Sequence, residues 1–266
     1  MRVDREELLH LLELVGVATA RTPSFRQAGC FVFDQGQVMA FDGDVACRGP
    51  SPLADVRGAI PSTTLLDYLR KLTEETLEVT QQEGLLLVKG KRRRVKLTME
   101  QEILLPLDAV EKPESWTTLP EEFGEAAAMV GECAGKDERV FDATCINFHP
   151  KWLEAYDGTH LLRYRLRIGT DSPFLVQKTA VKQVVTLGMT SWALTPRWAH
   201  FTSDSGFVLS CLRFTELEFY DLSPALELEG EKLQLPRGLV KAAELAQLSC
   251  EDKDDPLTID LRPGEM

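Results

Sequence analysis

Histidine is scarce in this 266-residue chain. The four present, His10, His149, His160 and His200, stand in neither H-E-x-x-H nor any other metal-ligand spacing. There is no P-loop and no G-x-G-x-x-G. Ser205-Gly206 reads as a hairpin tip, not as a nucleophile elbow. Together these absences leave catalysis without a constellation, so a non-enzymatic protein with no cofactor and no metal is expected. Six cysteines (Cys30, Cys47, Cys133, Cys145, Cys211, Cys250) lack C-x-x-C spacing, which excludes the usual zinc sites and gives no disulfide framework. Set among apolar neighbours, they read as free thiols of a reducing compartment. No apolar run approaches the roughly 18 residues of a membrane span. The start, Met1-Arg2-Val3-Asp4-Arg5-Glu6-Glu7, carries no apolar signal core, so a cytoplasmic protein is expected.

What the chain has is acid, a core and a repeat. Lys and Arg number 30 against 42 Asp and Glu, a net charge of −12. That total is unfavourable for phosphate binding, although distribution matters more. Apolar residues make up 44%, enough for a packed core. A short phrase recurs five times: an apolar anchor, a Pro or polar residue, then a helix-like run. The anchors are Val3, Ile60, Leu119, Val176 and Leu235, spaced 57, 59, 57 and 59 residues apart. Such even spacing marks a repeat. The length and the acidic, two-proline stretch 106–114 suggest domains over 1–113 and 114–228, with 229–266 beginning a third.

Each unit reads as one helix followed by three or four short antiparallel strands, an α+β class. In the first, a helix over 4–17 presents Leu8, Leu11, Leu12 and Val15 on one face, with Asp4 as N-cap and Glu7 as its capping-box partner. Strand runs 30–33 and 38–41 flank a turn at 34–37, a strand follows over 44–48, and Gly49 to Pro52 is a break. The second unit places a helix over 62–72 and strands over 78–81, 85–89 and 92–98. The third has a helix over 120–134 and strands near 144–148, 152–156 and 161–167. The fourth has a helix over 178–187, with Val181, Val184, Val185 and Gly188 inward, and strands near 192–195, 199–202 and 207–214. In the fifth, a helix to about 248 leads through an acidic stretch to one strand, 257–261.

Basic residues are less evenly placed than the total charge suggests. Lys178 and Lys182 stand i, i+4 on the fourth helix, Arg237 and Lys241 on the fifth, and Arg70 and Lys71 close the second. Either these are ordinary solvated faces, or equivalent helices side by side line one surface and track phosphates. Glu6, Glu7, Glu121, Glu122 and Glu125 argue against a uniform basic row. Arg92, Arg94 and Lys96 alternate on one strand, either as a charged edge that blocks aggregation or as a phosphate contact. Arg21 and Arg26 flank a loop at Pro23. Aromatic residues are not interleaved with the basic ones. Trp116, Trp152, Trp192 and Trp198 therefore read as strand packing and not as a base-stacking platform.

The units resemble those of bacterial-type DNA sliding clamps, the beta subunit of the replicative DNA polymerase, or a phage or divergent version of it. The likeness runs over nearly the whole chain as a pattern. Its clearest pieces are Phe31–Phe41 leading into Asp42-Gly43-Asp44, Ile60-Pro61-Ser62 opening a helix that ends Leu69-Arg70-Lys71-Leu72, Trp152–Leu161 around Asp157-Gly158-Thr159-His160, and Phe219-Tyr220-Asp221-Leu222. The resemblance implies a ring with helices inside and sheets outside, which encircles duplex DNA without reading sequence and holds the polymerase on it. It also implies that an acidic total coexists with a basic inner face. Arg21 and Arg26 match a DNA-facing loop, and Lys178 and Lys182 an inner helix. The helix faces carrying Arg70, Lys71, Arg237 and Lys241 would meet the DNA backbone as well. Polymerase and clamp loader would dock by short peptide motifs in a pocket. Gly158, Thr159, His160 and Leu161 match one wall of it, with Pro224 near the domain junction; Thr159-His160 stands where His-Arg is usual. Six units would close as a homodimer and four as a trimer. Four and a fraction suggest a truncated product, a fragment or a divergent clamp. The alternative from another class is a clamp-fold interaction scaffold that does not encircle DNA.

Overall fold

The recurring phrase is a strand-to-helix junction. Val3 lies in β1 (Arg2–Asp4), directly before α1 (Arg5–Val15). Ile60 lies in β5 (Gly58–Pro61), directly before α2 (Ser62–Lys71). Val176 lies in β13 (Phe174–Gln177), directly before α4 (Lys178–Thr186), and Leu119 follows β9 (Thr117–Thr118), ahead of α3 (Phe123–Glu132). Sequence reading missed β1, β5, β9 and β13 because each is only two to four residues long. These observations come from a computed structural model that describes residues 1–91, 93–227, 229 and 236–248. The fifth anchor Leu235, Arg92, Cys250 and the expected strand 257–261 lie outside the described residues.

The chain divides into two compact units, Met1–Tyr220 and Asp221–Met266. Among the described residues the first holds three antiparallel sheets. After α1 and a 3-10 turn come β2 (Cys30–Asp34), β3 (Gln37–Phe41) and β4 (Val45–Pro50), the last running two residues into the expected break. After α2 come β6 (Thr76–Gln82), β7 (Leu85–Lys89) and β8 (Arg94–Thr98). After α3 come β10 (Cys145–His149), β11 (Trp152–Tyr156) and β12 (Leu161–Arg165). After α4 come β14 (Ser191–Leu194), β15 (Trp198–Thr202) and β16 (Val208–Leu212). Two sheets have four strands, β1-β6-β7-β8 and β12-β11-β10-β13. The third has eight, β5-β2-β3-β4-β16-β15-β14-β9. It joins the first and fourth repeats through β4 and β16, in the register Val45↔Cys211 to Arg48↔Val208.

One face of every sheet meets the helices. Leu8, Leu11, Leu12 and Val15 of α1 and Phe123, Ala126, Ala127 and Val130 of α3 are buried, as helical periodicity predicts. They share a core cluster with Phe31, Phe33, Cys47, Phe148, Phe201 and Leu209. Each large side chain of this kind contributes about 1.5–3 kcal/mol by leaving water. Asp4 caps α1, its Oδ1 accepting from the Glu7 N–H at 2.9 Å. Gly188 faces solvent, not the core: at φ +59 it ends α4, a left-handed position that glycine takes without strain.

The other face of the eight-stranded sheet is covered by the chain between β8 and β9. Ile103, Leu105, Leu107 and Val110 pack there with Val32, Phe41, Ala46 and Trp198. Trp198 Nε1 donates to the Ala109 carbonyl at 3.0 Å. The buried Gln27 amide anchors the approach: its nitrogen donates to the Glu102 carbonyl at 2.8 Å and its oxygen accepts from the Leu104 and Leu105 N–H groups at 2.8 and 3.1 Å. The acidic stretch 106–114, read from sequence as a division between domains, is thus part of a packed strap across the β4–β16 seam. Its signal was the alternation Ile103, Leu105, Leu107 just ahead of the acidic run.

The second unit contains a one-turn helix α5 (Ser223–Leu226) and α6 (Leu239–Gln247). On and just after α6, Val240, Leu245 and Leu248 are exposed.

Candidate nucleic-acid interface

The strand-to-helix junctions set where each helix begins, and so which side chains its exposed face offers. Four cations on α2 and α4 were expected to face phosphates, and the structure separates them. Arg70 is held by Glu13 of α1, with Nη2 at 2.9 Å from Oε1, and has Asp67 at 4.0 Å. Lys178 is half-buried and its Nζ donates to the Ala134 carbonyl at 2.6 Å, which braces the start of α4 against the end of α3. Lys71 and Lys182 are exposed, and no acceptor holds their ammonium groups among the described residues. Glu6, Glu7 and Glu13 of α1 and Glu125 of α3 keep the same helical layer mixed in sign.

Arg21 is exposed in the loop after the first 3-10 turn, and Arg26 is exposed with Nη2 at 3.4 Å from Glu100. Arg237, just before α6, and Lys241 on it are exposed in the second unit. On the β8 edge Arg94 and Lys96 are exposed and Lys89 pairs with Glu78 at 3.2 Å, so the basic strip is partly neutralised within its own sheet. Among the described residues no group of three His, Cys, Asp or Glu is arranged to hold a metal ion.

The expected partner wall is the β11–β12 turn. Asp157 Oδ1 accepts from the Thr159 and His160 N–H groups at 2.8 and 2.6 Å, and Oδ2 lies 3.1 Å from His160 Nδ1. Bonds from the His160 N–H first, then from Thr159 N–H, hold the Asp157 carboxyl down to about 2. Gly158 at φ +93 permits the turn. The His160 side chain is therefore engaged with its own turn. Gly158 and Thr159 are exposed and Leu161 is half-buried. Beside the turn, Tyr156 donates its hydroxyl to Asp142 at 2.5 Å and meets the rings of Phe219 and Tyr220 at 5.4 and 5.5 Å. Burial first, then that bond to Asp142, raises the Tyr156 phenol. Pro224 is exposed at the start of α5 in the second unit.

Sequence reading missed two polar constructions. On the outward face of β10-β11-β12, Glu154 is 4% exposed yet charged-partnered. It accepts from Arg163 Nε at 2.6 Å and from Asn147 Nδ2 at 2.8 Å. The Arg163 guanidinium lies 4.2 Å from the Trp152 ring centroid, and His149 stacks on that ring at 3.6 Å. The signal was the period-two run Trp152, Glu154, Tyr156 opposite Arg163 and Arg165. Trp192 and Trp198 are buried as expected, whereas Trp116 is exposed and outside any strand.

The second is a serine–histidine pair. His200 Nδ1 lies 2.8 Å from Ser210 Oγ, and Nε2 2.9 Å from Thr195 Oγ1. Burial lowers His200 to about 4, against an opposing pull from Glu111. At neutral pH the ring is uncharged, and both of its nitrogens are taken by these hydroxyls. Ser210 is itself buried in mid-strand, with β4 and β15 on either side. The pair is a structural bond.

No protein-family model and no curated protein matches the chain by sequence. Solved structures do match it. A DnaN sliding clamp (DNA polymerase III subunit beta) from Pseudomonas aeruginosa bound to griselimycin superposes with a TM-score of 0.72 at 17% identity, covering 87% of this chain and 68% of that one. The DNA polymerase sliding clamp of Bacillus subtilis gives 0.71 at 11% identity, covering 94% and 74%. The DNA polymerase III beta subunit of Thermotoga maritima gives 0.66 at 18%, covering 84% and 66%. The chain has the fold of a DNA sliding clamp.

Proposed function

We infer that this protein is a non-catalytic processivity factor, a sliding clamp that encircles duplex DNA and tethers a replicative polymerase. The observation that carries this reading is the superposition on a DNA polymerase III beta clamp over 87% of the chain. On this reading the successive clamp domains are 1–113, 114–228 and a third begun at 229. The ring is a homo-oligomer in the cytoplasm, needing no cofactor. Lys71 and Lys182 meet the DNA backbone from α2 and α4, joined by Arg21, Arg26, Arg237 and Lys241, and no base is read. Arg70 and Lys178 contribute less, because an internal acceptor already holds each. Gly158, Thr159, His160 and Leu161 take peptide motifs of the polymerase and the clamp loader, and Pro224 of the second unit is a further contact residue for such motifs.

A second reading, an interaction scaffold that does not encircle DNA, is favoured by one observation. The helical layer is mixed in sign, with Glu6, Glu7, Glu13 and Glu125 beside its cations. Loading on nicked circular DNA discriminates the two. The wild type is expected to remain on circles and to leave them on linearisation. The pair Lys71→Glu and Lys182→Glu is expected to shorten retention and to lower the salt-dependence slope by about 2, roughly one for each phosphate no longer neutralised. Retention unaffected by both reversals removes this face as the DNA contact. No retention by the wild type favours the scaffold.

A further inference from the structure

On the outward face of the eight-stranded sheet lies a cleft of about 610 Å³, within the size range of sites that take small ligands. Its walls are the β2–β3 hairpin and the strap at 107–113, and its floor is the seam between β4 and β16. The floor is apolar at Met39, Ala46 and Val208, with Leu107 and Val110 at the strap side. It is also charged in a particular way.

Two of the five charges lining the cleft are committed, and its histidine is bonded. Asp34 pairs with Arg57 at 3.1 Å. Glu111 accepts from the Thr195 hydroxyl and from the Arg197 N–H at 3.2 Å, which keep its carboxyl below the usual range. His200 is bonded on both ring nitrogens. Arg48, on β4 in the middle of the floor, is half-buried, and no side-chain acceptor holds its guanidinium among the described residues. A half-buried guanidinium left to itself costs free energy, and its planar fork matches a carboxylate. Lys112 adds a second uncommitted cation at the rim, and Asp108 one anion. The carboxylates of Asp108 and Glu111 on the strap disfavour a dianionic phosphate over a single carboxylate.

We propose that this cleft binds a short acidic peptide segment of a partner protein, in which one carboxylate is received by Arg48 and the flanking apolar side chains rest on Met39, Val208 and the strap. The site is separate from both the helical layer and the β11–β12 turn, and it does not depend on whether the chain encircles DNA.

The test uses the full chain and the probe acetyl-Leu-Glu-Leu-amide, titrated while backbone amide shifts are followed by NMR. Saturable shifts are expected at residues 46–48, 107–112 and 208–210. Arg48→Gln is expected to weaken binding about tenfold to a hundredfold, as loss of a charge-assisted bond does, with Arg48→Lys between. Because Arg48 is only half-buried, its variants keep the fold, which far-UV circular dichroism checks. Any of four results overturns the proposal: no saturable shift, equal binding of acetyl-Leu-Gln-Leu-amide, inorganic phosphate producing the same shifts at the same concentrations, or unchanged affinity in Arg48→Gln.

Discussion

Replacing Arg163 by Ala should destabilise the first unit far more than a surface substitution does. The Glu154 carboxylate has two partners, Arg163 at 2.6 Å and Asn147 at 2.8 Å, and the Glu154 and Arg163 side chains are 5% and 14% exposed. Without the guanidinium a buried charge is left to one neutral amide. Removing one member of a buried pair costs about 3–5 kcal/mol, and losing the cation over Trp152 adds about 0.5–2 kcal/mol. A total of about 5 kcal/mol is a large part of the 5–15 kcal/mol that holds an ordinary domain. Urea unfolding followed by circular dichroism gives the number directly. The double variant Glu154→Met with Arg163→Met supplies the control. It removes both charges and should cost less than half as much, since no unpaired charge is left buried at that site. A cost for Arg163→Ala below about 1 kcal/mol would show that solvent screens the pair, as it does an exposed one, and the reasoning from burial would fail.

Two further outcomes follow from buried groups. His200 is held at about 4 by burial, below its ordinary 6.5, so the folded state refuses a proton that the unfolded chain accepts. Its contribution is complete above about pH 6.5 and is lost as pH falls from there towards 4. The gap corresponds to about 3 kcal/mol, and the stability difference between wild type and His200→Gln should slope across that window and be flat above it. Gly58→Ala should cost about 2 kcal/mol or more in thermal unfolding. Gly58 sits at φ +139 and a Cβ there meets the Glu100 carbonyl, a clash that only a backbone shift can relieve.

The parts of the fold that sequence revealed were those with a long period. α1 and α3 bury the stripes their spacing marks, and the hairpin β2–β3 forms around its glycine turn. The two-to-four-residue strands before each helix left no period to read, although the recurring phrase marks where each helix begins. The strap was hidden by its own composition. Its prolines and acids describe an exposed connection, and only Ile103, Leu105 and Leu107 disclose the buried side. For the candidate interface, sequence located the cations but not their partners. Glu13 lies 57 residues from Arg70, and Ala134 lies 44 from Lys178. Pairings across such distances follow from how α1 meets α2 and α3 meets α4, which no local pattern encodes.

The seam between β4 and β16 also has a mechanical meaning. Force applied across the strands there meets the ladder from Val45↔Cys211 to Arg48↔Val208, and the Leu212 N–H bonded to the Asp44 carbonyl at 2.7 Å carries load beside it. The helix-side core and the strap act as two skins bonded to that plate, so the joint cannot bend without shearing one of them. The seam is therefore the stiff member of the unit. By contrast β8 and β12 are outermost strands, each paired along one side only in its sheet among the described residues.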